Sequence, residues 1–156
     1  MLNVQQLKEL IIKPTLLDLI MFSDDAMELL VFTCAVESWG GTYLKQIQGP
    51  ALGIYQMEPA TYNDIWQNYI NNKKDLSLIM ATNFDCGRIP DEDRLIYDLR
   101  FATAMCRIHY LRALEPLPNK ADVQSLWNYY KNHYNTLEGA AVHDESIHKY
   151  LSFVNN

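Results

Sequence analysis

One stretch constrains this chain more than any other. From Ala26 to Val36 it reads Ala-Met-Glu-Leu-Leu-Val-Phe-Thr-Cys-Ala-Val, apolar on nearly every side of a helix. A helix without a polar face belongs at the centre of a fold, covered by other elements. Ser23 or Asp24 can cap its start, and Gly40-Gly41 stops it. The rest of the chain has to wrap that rod.

The wrapping is also helical. Apolar spacing near 3.6 dominates and period-two alternation is nearly absent. Leu7, Leu10, Ile11, Leu16, Leu19 and Ile20 sketch one or two N-terminal helices, with Pro14 as a break or a helix start. Pro59 starts another through Thr61, Ile65, Trp66 and Tyr69, and a polar segment follows as far as Pro90. A long helix is predicted from about Asp91 to Leu114, ended by Pro116 and Pro118. Further helices are predicted through Val123, Leu126, Trp127 and Tyr130, and from Glu145 to Val154. No repeat and no linker divides the 156 residues, so the expectation is a single, mostly α domain over 1–156.

Composition narrows the function classes. With 49% hydrophobic and 21% charged residues, disordered, fibrous and coiled-coil readings fail. The net charge is −6 and no basic run occurs, which argues against nucleic acid and anionic membranes as partners. Lys8, Glu9, Lys13, Pro14 and Asp18 interrupt the N-terminal apolar stretch, so it reads as neither a secretory signal nor a membrane span. Cys34, Cys86 and Cys106 are odd in number and scattered, as expected of buried reduced thiols made in a cytoplasm. His143 and His148 fall on different helix faces, and His109 reads as a core histidine. No metal and no cofactor is expected.

The chemistry points to Glu37. It ends the apolar helix, in Cys34-Ala-Val-Glu37-Ser-Trp-Gly-Gly41. There it meets the negative end of the helix dipole, and apolar neighbours disfavour its charged form. Both effects raise its pKa toward the range of a general acid. Residues 38–57 then hold Gly40, Gly41, Gly49, Pro50 and Gly53, predicting a structured loop or a short hairpin. Tyr55 and Gln56 in that loop can stack on and hydrogen-bond a sugar.

These residues resemble the lysozyme-like lytic transglycosylase (soluble lytic transglycosylase) superfamily, from about residue 25 to 153. Glu37-Ser38 matches the family's Glu-Ser, and Gly53-Ile-Tyr-Gln56-Met-Glu-Pro59-Ala-Thr61 matches its Gly-Leu-Met-Gln-Ile-Met-Pro-x-Thr block. Leu99 to Leu111 is similar to a third block, and Tyr134-Asn135-Thr136 followed by Gly139 is the best counterpart of the Tyr-Asn-Ala-Gly block, with Tyr129 or Tyr130 as alternative registers. Trp39-Gly40 and Glu58 depart from the pattern. The resemblance implies a lysozyme-like fold, with the Gly-rich loop or hairpin lining a glycan cleft. It makes Glu37 the sole catalytic acid/base, with Ser38, Tyr55, Gln56 and Tyr134 against substrate.

The implied substrate is the MurNAc–GlcNAc bond of peptidoglycan, and the format resembles phage-encoded members. Such a protein would be made in the host cytoplasm and act on the wall, as a virion component or at lysis, with tail or other virion proteins as further partners. Hydrolysis needs a second carboxylate, about 5 Å away for retention or about 6.5–9.5 Å for inversion. Glu58 is placed for it, beside Gln56, although it can equally cap the next helix. Asp64 reads as a solvated face. Asp24 and Asp25 lie at the far end of the Glu37 helix, about 18 Å away. A non-catalytic virion protein keeping the fold is the remaining alternative.

Overall fold

The computed structural model describes residues 1–136 and 139–156. Short α1 (Val4–Gln6), a wide π-type turn (Leu7–Ile12) and α2 (Lys13–Asp18) form one continuous helical run. Pro14 therefore starts α2 and does not break the run. Proline brings no N–H and crowds the carbonyl four residues back. The ladder opens into its wider turn just before it.

Next comes α3 (Asp24–Ser38), the predicted rod. Ser23 caps it, with Oγ accepting from the Ala26 amide at 3.0 Å. Every residue from Leu29 to Val36 is buried. The rod is covered by the N-terminal run, by α7 (Leu99–Leu111), by α8 (Val123–Tyr130) and by α9 (His143–Val154). Asp24 and Asp25 do not cap; both bind Lys120, through its ammonium and its backbone N–H respectively.

Two helices differ from expectation. The polar segment before Pro90 contains α5 (Lys74–Asn83), which buries only Leu76 and Met80. Two buried residues one turn apart make a faint periodic signal, and packing supplies what the pattern lacks. The long helix predicted from Asp91 is split into α6 (Arg94–Tyr97) and α7 by an extended Asp98, whose carboxylate caps α7 at the Phe101 amide (2.9 Å). An aspartate offers the backbone this alternative to a continuous ladder.

Between α3 and α4 (Pro59–Asn68) the chain turns repeatedly. Two isolated antiparallel bridges, Lys45 with Leu52 and Leu52 with Met57, stand where a hairpin was one option. Among the described residues no strand forms, and no helix is long and apolar enough to cross a membrane. Cys34, Cys86 and Cys106 are free and buried, and burial pushes the Cys34 thiol up to about 12.

Candidate active site

At its C-terminus α3 ends abruptly, and the ending builds the site. Trp39 adopts the left-handed conformation (φ 52°), a conformation that costs a bulky side chain about 1 kcal/mol or more. Gly40 follows at φ 58°, and a Cβ there would come within 2.5 Å of the Phe153 ring. Only glycine lets the chain pass so close to α9.

Ser38 then anchors the turn to the loop. Its hydroxyl faces the Ile54 carbonyl at 2.6 Å and the Cys34 carbonyl at 3.1 Å, and accepts from the Gly41 amide at 2.9 Å. The expectation that Ser38 meets substrate is thereby corrected. Its side chain is fully buried and its hydroxyl bonds to partners inside the fold.

Tyr55 is corrected in the same way. Its ring enters the core, only 2% exposed, and its hydroxyl pairs with Thr103 Oγ1 at 3.0 Å. What Tyr55 offers the site is its backbone carbonyl, which accepts from the Tyr134 hydroxyl at 2.7 Å. Turning the chain at this point requires Gly53, since a Cβ there would lie 2.2 Å from the Leu95 carbonyl oxygen. Gln56 follows at φ 47°, folding its side-chain amide back to donate to the Gly53 carbonyl at 2.8 Å.

The result is a cavity of about 730 Å³. Of the residues expected at substrate, Glu37, Gln56 and Tyr134 line it together. Four further groups join them: Glu58, His109, Tyr130 and Lys149. Glu58 occupies the N-cap position of α4, as the capping alternative expected, but its side chain makes no capping hydrogen bond there. Asp64 is exposed on α4 and bound to Arg112 at 2.6 Å, away from the cavity lining.

Glu37 is held by one strong contact. The Tyr130 hydroxyl donates to its Oε1 at 2.7 Å. Burial at the helix end raises its pKa from 4.5 to about 7. The Tyr130 bond and the Lys149 ammonium pull it back down, and Glu58 adds a small push upward. A carboxyl poised there can give a proton near neutral pH, and Tyr130 is placed to steady the carboxylate that remains.

Tyrosine register is thus divided between two residues. Tyr130 holds the acid, while Tyr134 braces the loop one turn later in the π-type segment Lys131–Asn135. Their rings stack at 6.2 Å. Spacing alone marks both as candidates, because residues four apart share a helix face. His109 was missed, since an isolated histidine in an apolar helix carries no signal of what it will face. Among the described residues no cluster of His, Cys, Asp and Glu suits a metal ion.

No protein-family model, curated protein or solved structure matches this chain. What the site can do therefore has to be read from its own residues.

Proposed function

We propose that this protein is a peptidoglycan-degrading glycosidase that cleaves the MurNAc–GlcNAc β-1,4 bond as a lytic transglycosylase. A single observation carries the reading: Glu37, a carboxyl whose pKa lies near 7, stands on the wall of an open cavity, hydrogen-bonded to Tyr130. The lysozyme-like arrangement of a helix-end acid facing a Gly-rich loop belongs to the same proposal.

The steps follow from one acid. Glu37 donates its proton to the glycosidic oxygen as the bond to C1 breaks, and GlcNAc leaves with that proton. The MurNAc acetamido oxygen supports the electron-poor C1. The Glu37 carboxylate then takes the C6 hydroxyl proton while O6 bonds to C1. A 1,6-anhydro ring forms, Glu37 recovers its proton, and no water is consumed. Tyr130 favours the carboxylate between the two transfers.

Glu58 supports a second reading, hydrolysis by a muramidase, because it is exposed on the same cavity and its carboxylate makes no capping bond. In that case it would hold the attacking water. Mass spectrometry of fragments released from purified peptidoglycan tests both. We expect 1,6-anhydro-MurNAc ends from the wild type and none from Glu37→Gln. Ordinary reducing ends would instead establish hydrolysis with Glu58 as the second carboxylate. No release by the folded wild type would overturn both and leave a non-catalytic virion protein.

The acidic charge of −6 favours delivery inside a phage particle over diffusion to an anionic wall. Recovery of the protein in purified virions is the expected result, and its consistent absence would favour release at lysis.

A further inference from the structure

Of the groups lining the cavity, His109 is left unused by the proposed chemistry. Its Nδ1 lies 2.8 Å from Arg112 Nη2, and Arg112 is held in turn by Asp64 at 2.6 Å. A guanidinium can only donate, so Nδ1 must be the accepting nitrogen and the ring proton must sit on Nε2. The Tyr134 ring meets the imidazole edge to face at 4.9 Å and fixes its plane. Among the described residues the Arg112 contact is the one hydrogen bond the His109 ring makes, so Nε2 is left without a partner. His109 thus lines the cavity with an N–H that nothing in the described fold binds.

Burial first, and then the charges around the ring, keep it neutral. Burial and the Arg112 cation oppose protonation, His133 adds to them, and Asp64 offsets only part, so the pKa falls to about 4. His133 itself faces Glu115 at 3.4 Å. Tyr110 and Tyr134, the aromatic neighbours, have hydroxyl pKa values raised by burial and bring no charge.

We propose that His109 is a substrate-recognition residue, a neutral imidazole locked by Arg112 in the Nε2–H tautomer and donating to an acetamido carbonyl of the glycan. A ring in this tautomer has no acceptor left to offer. Its best partner is a strong acceptor, and along an aminosugar chain the N-acetyl carbonyl accepts more strongly than the ring and glycosidic ether oxygens. Sugar hydroxyls can also accept from it, but an amide carbonyl is the stronger acceptor. This inference rests on the reading of the cavity as an N-acetylated glycan site.

The test begins with ¹⁵N correlation spectra of the wild-type imidazole. We expect Nε2 to be protonated and Nδ1 bare, with no titration between pH 5 and 8. Tri-N-acetylchitotriose should move the Nε2–H signal, and its de-N-acetylated analogue should not. In peptidoglycan turnover, His109→Leu should raise KM about tenfold, the worth of one good hydrogen bond, with kcat little changed. His109→Gln, which keeps an amide donor, should recover part of the loss. Arg112→Met should free Nδ1, let the ring proton move between the two nitrogens, and raise KM at neutral pH by less than His109→Leu does.

An Nδ1–H tautomer would overturn the proposal, as would a KM unchanged in folded His109→Leu. A response to muropeptides but not to the trisaccharide would move the bond to a peptide carbonyl and overturn the acetamido assignment. Release of anhydro fragments with His109 silent would sink this inference and leave the enzyme reading intact. A trisaccharide shift at His109 without any release would do the reverse. A folded protein that neither binds nor cleaves would end both.

Discussion

The two ends of α3 follow opposite rules. At the N-terminus Ser23 caps the Ala26 amide, and Asp24 and Asp25 place negative charge at the positive end of the dipole, paired with Lys120. At the C-terminus a glutamate sits where a cation would be favourable, the last turn holds no basic residue, and a tryptophan occupies a left-handed position that suits glycine. One end is arranged to hold the helix together. The other gives up stability to keep a carboxyl protonated beside a cavity. The lesson is that local stability and chemical poise can be separated along one helix of 15 residues.

Removing the acid should break the contrast most. Glu37→Gln is expected to lower glycan release at least a thousandfold, at the upper range of acid–base catalysis. It should also stabilise the fold at alkaline pH. The folded carboxyl keeps its proton up to about pH 7 and the unfolded one only to 4.5, so stability is full below 4.5 and declines as pH rises through 7. The gap corresponds to on the order of 3 kcal/mol. Melting curves of the two proteins should therefore diverge between pH 5 and 8, with the variant higher by roughly 5–10 °C at the top. Parallel curves would mean that the two ends do not differ in this way.

Next in size is Ser38→Ala. Ser38 satisfies one amide and faces two carbonyls inside the core, so its loss should cost about 1–3 kcal/mol in urea unfolding. Because it ties the helix end to the loop at Ile54, release activity should fall along with stability. Unchanged activity in a destabilised variant would show that the cavity tolerates a loosened loop.

Tyr130→Phe sharpens the comparison from the cavity side. Deleting the 2.7 Å bond removes a contact that favours the carboxylate, so the Glu37 pKa should rise further. Carboxyl ¹³C shifts across a pH series would follow it directly. Turnover is expected to fall about tenfold, one charge-assisted bond's worth. A pKa that stays in place would assign the shift to burial and the helix dipole alone.

The smallest effect should come from the orderly end. Ser23→Ala should cost about 1 kcal/mol, roughly 2–4 °C in melting temperature, with Glu37 titration and glycan release unchanged. Any movement of Glu37 in this variant would show that the ends are coupled through the rod.

Much of the fold was legible in local patterns. The α3 rod, the Pro59 start of α4 and the final helix, α9, all follow from apolar spacing and caps within a few residues. The helix break at Asp98 was not, because aspartate is tolerated inside a helix until its side chain finds the Phe101 amide. Helix α5 escaped notice because only two of its ten residues are buried.

The site divides along the same line. The sequence by itself determined that an apolar helix ends at Glu37 with glycines behind it, and that a buried helix end raises a carboxyl's pKa. These are properties of neighbours along the chain. Only the tertiary structure decided that Tyr130 holds the acid while Tyr134 braces the loop, since the two lie on one helix face. It also turned Ser38 and Tyr55 inward, to partners at Ile54 and Thr103, and put His109 on the cavity wall against Arg112. The physical reason is that a side chain's direction depends on which distant partner it reaches, and spacing along the chain carries no record of that partner.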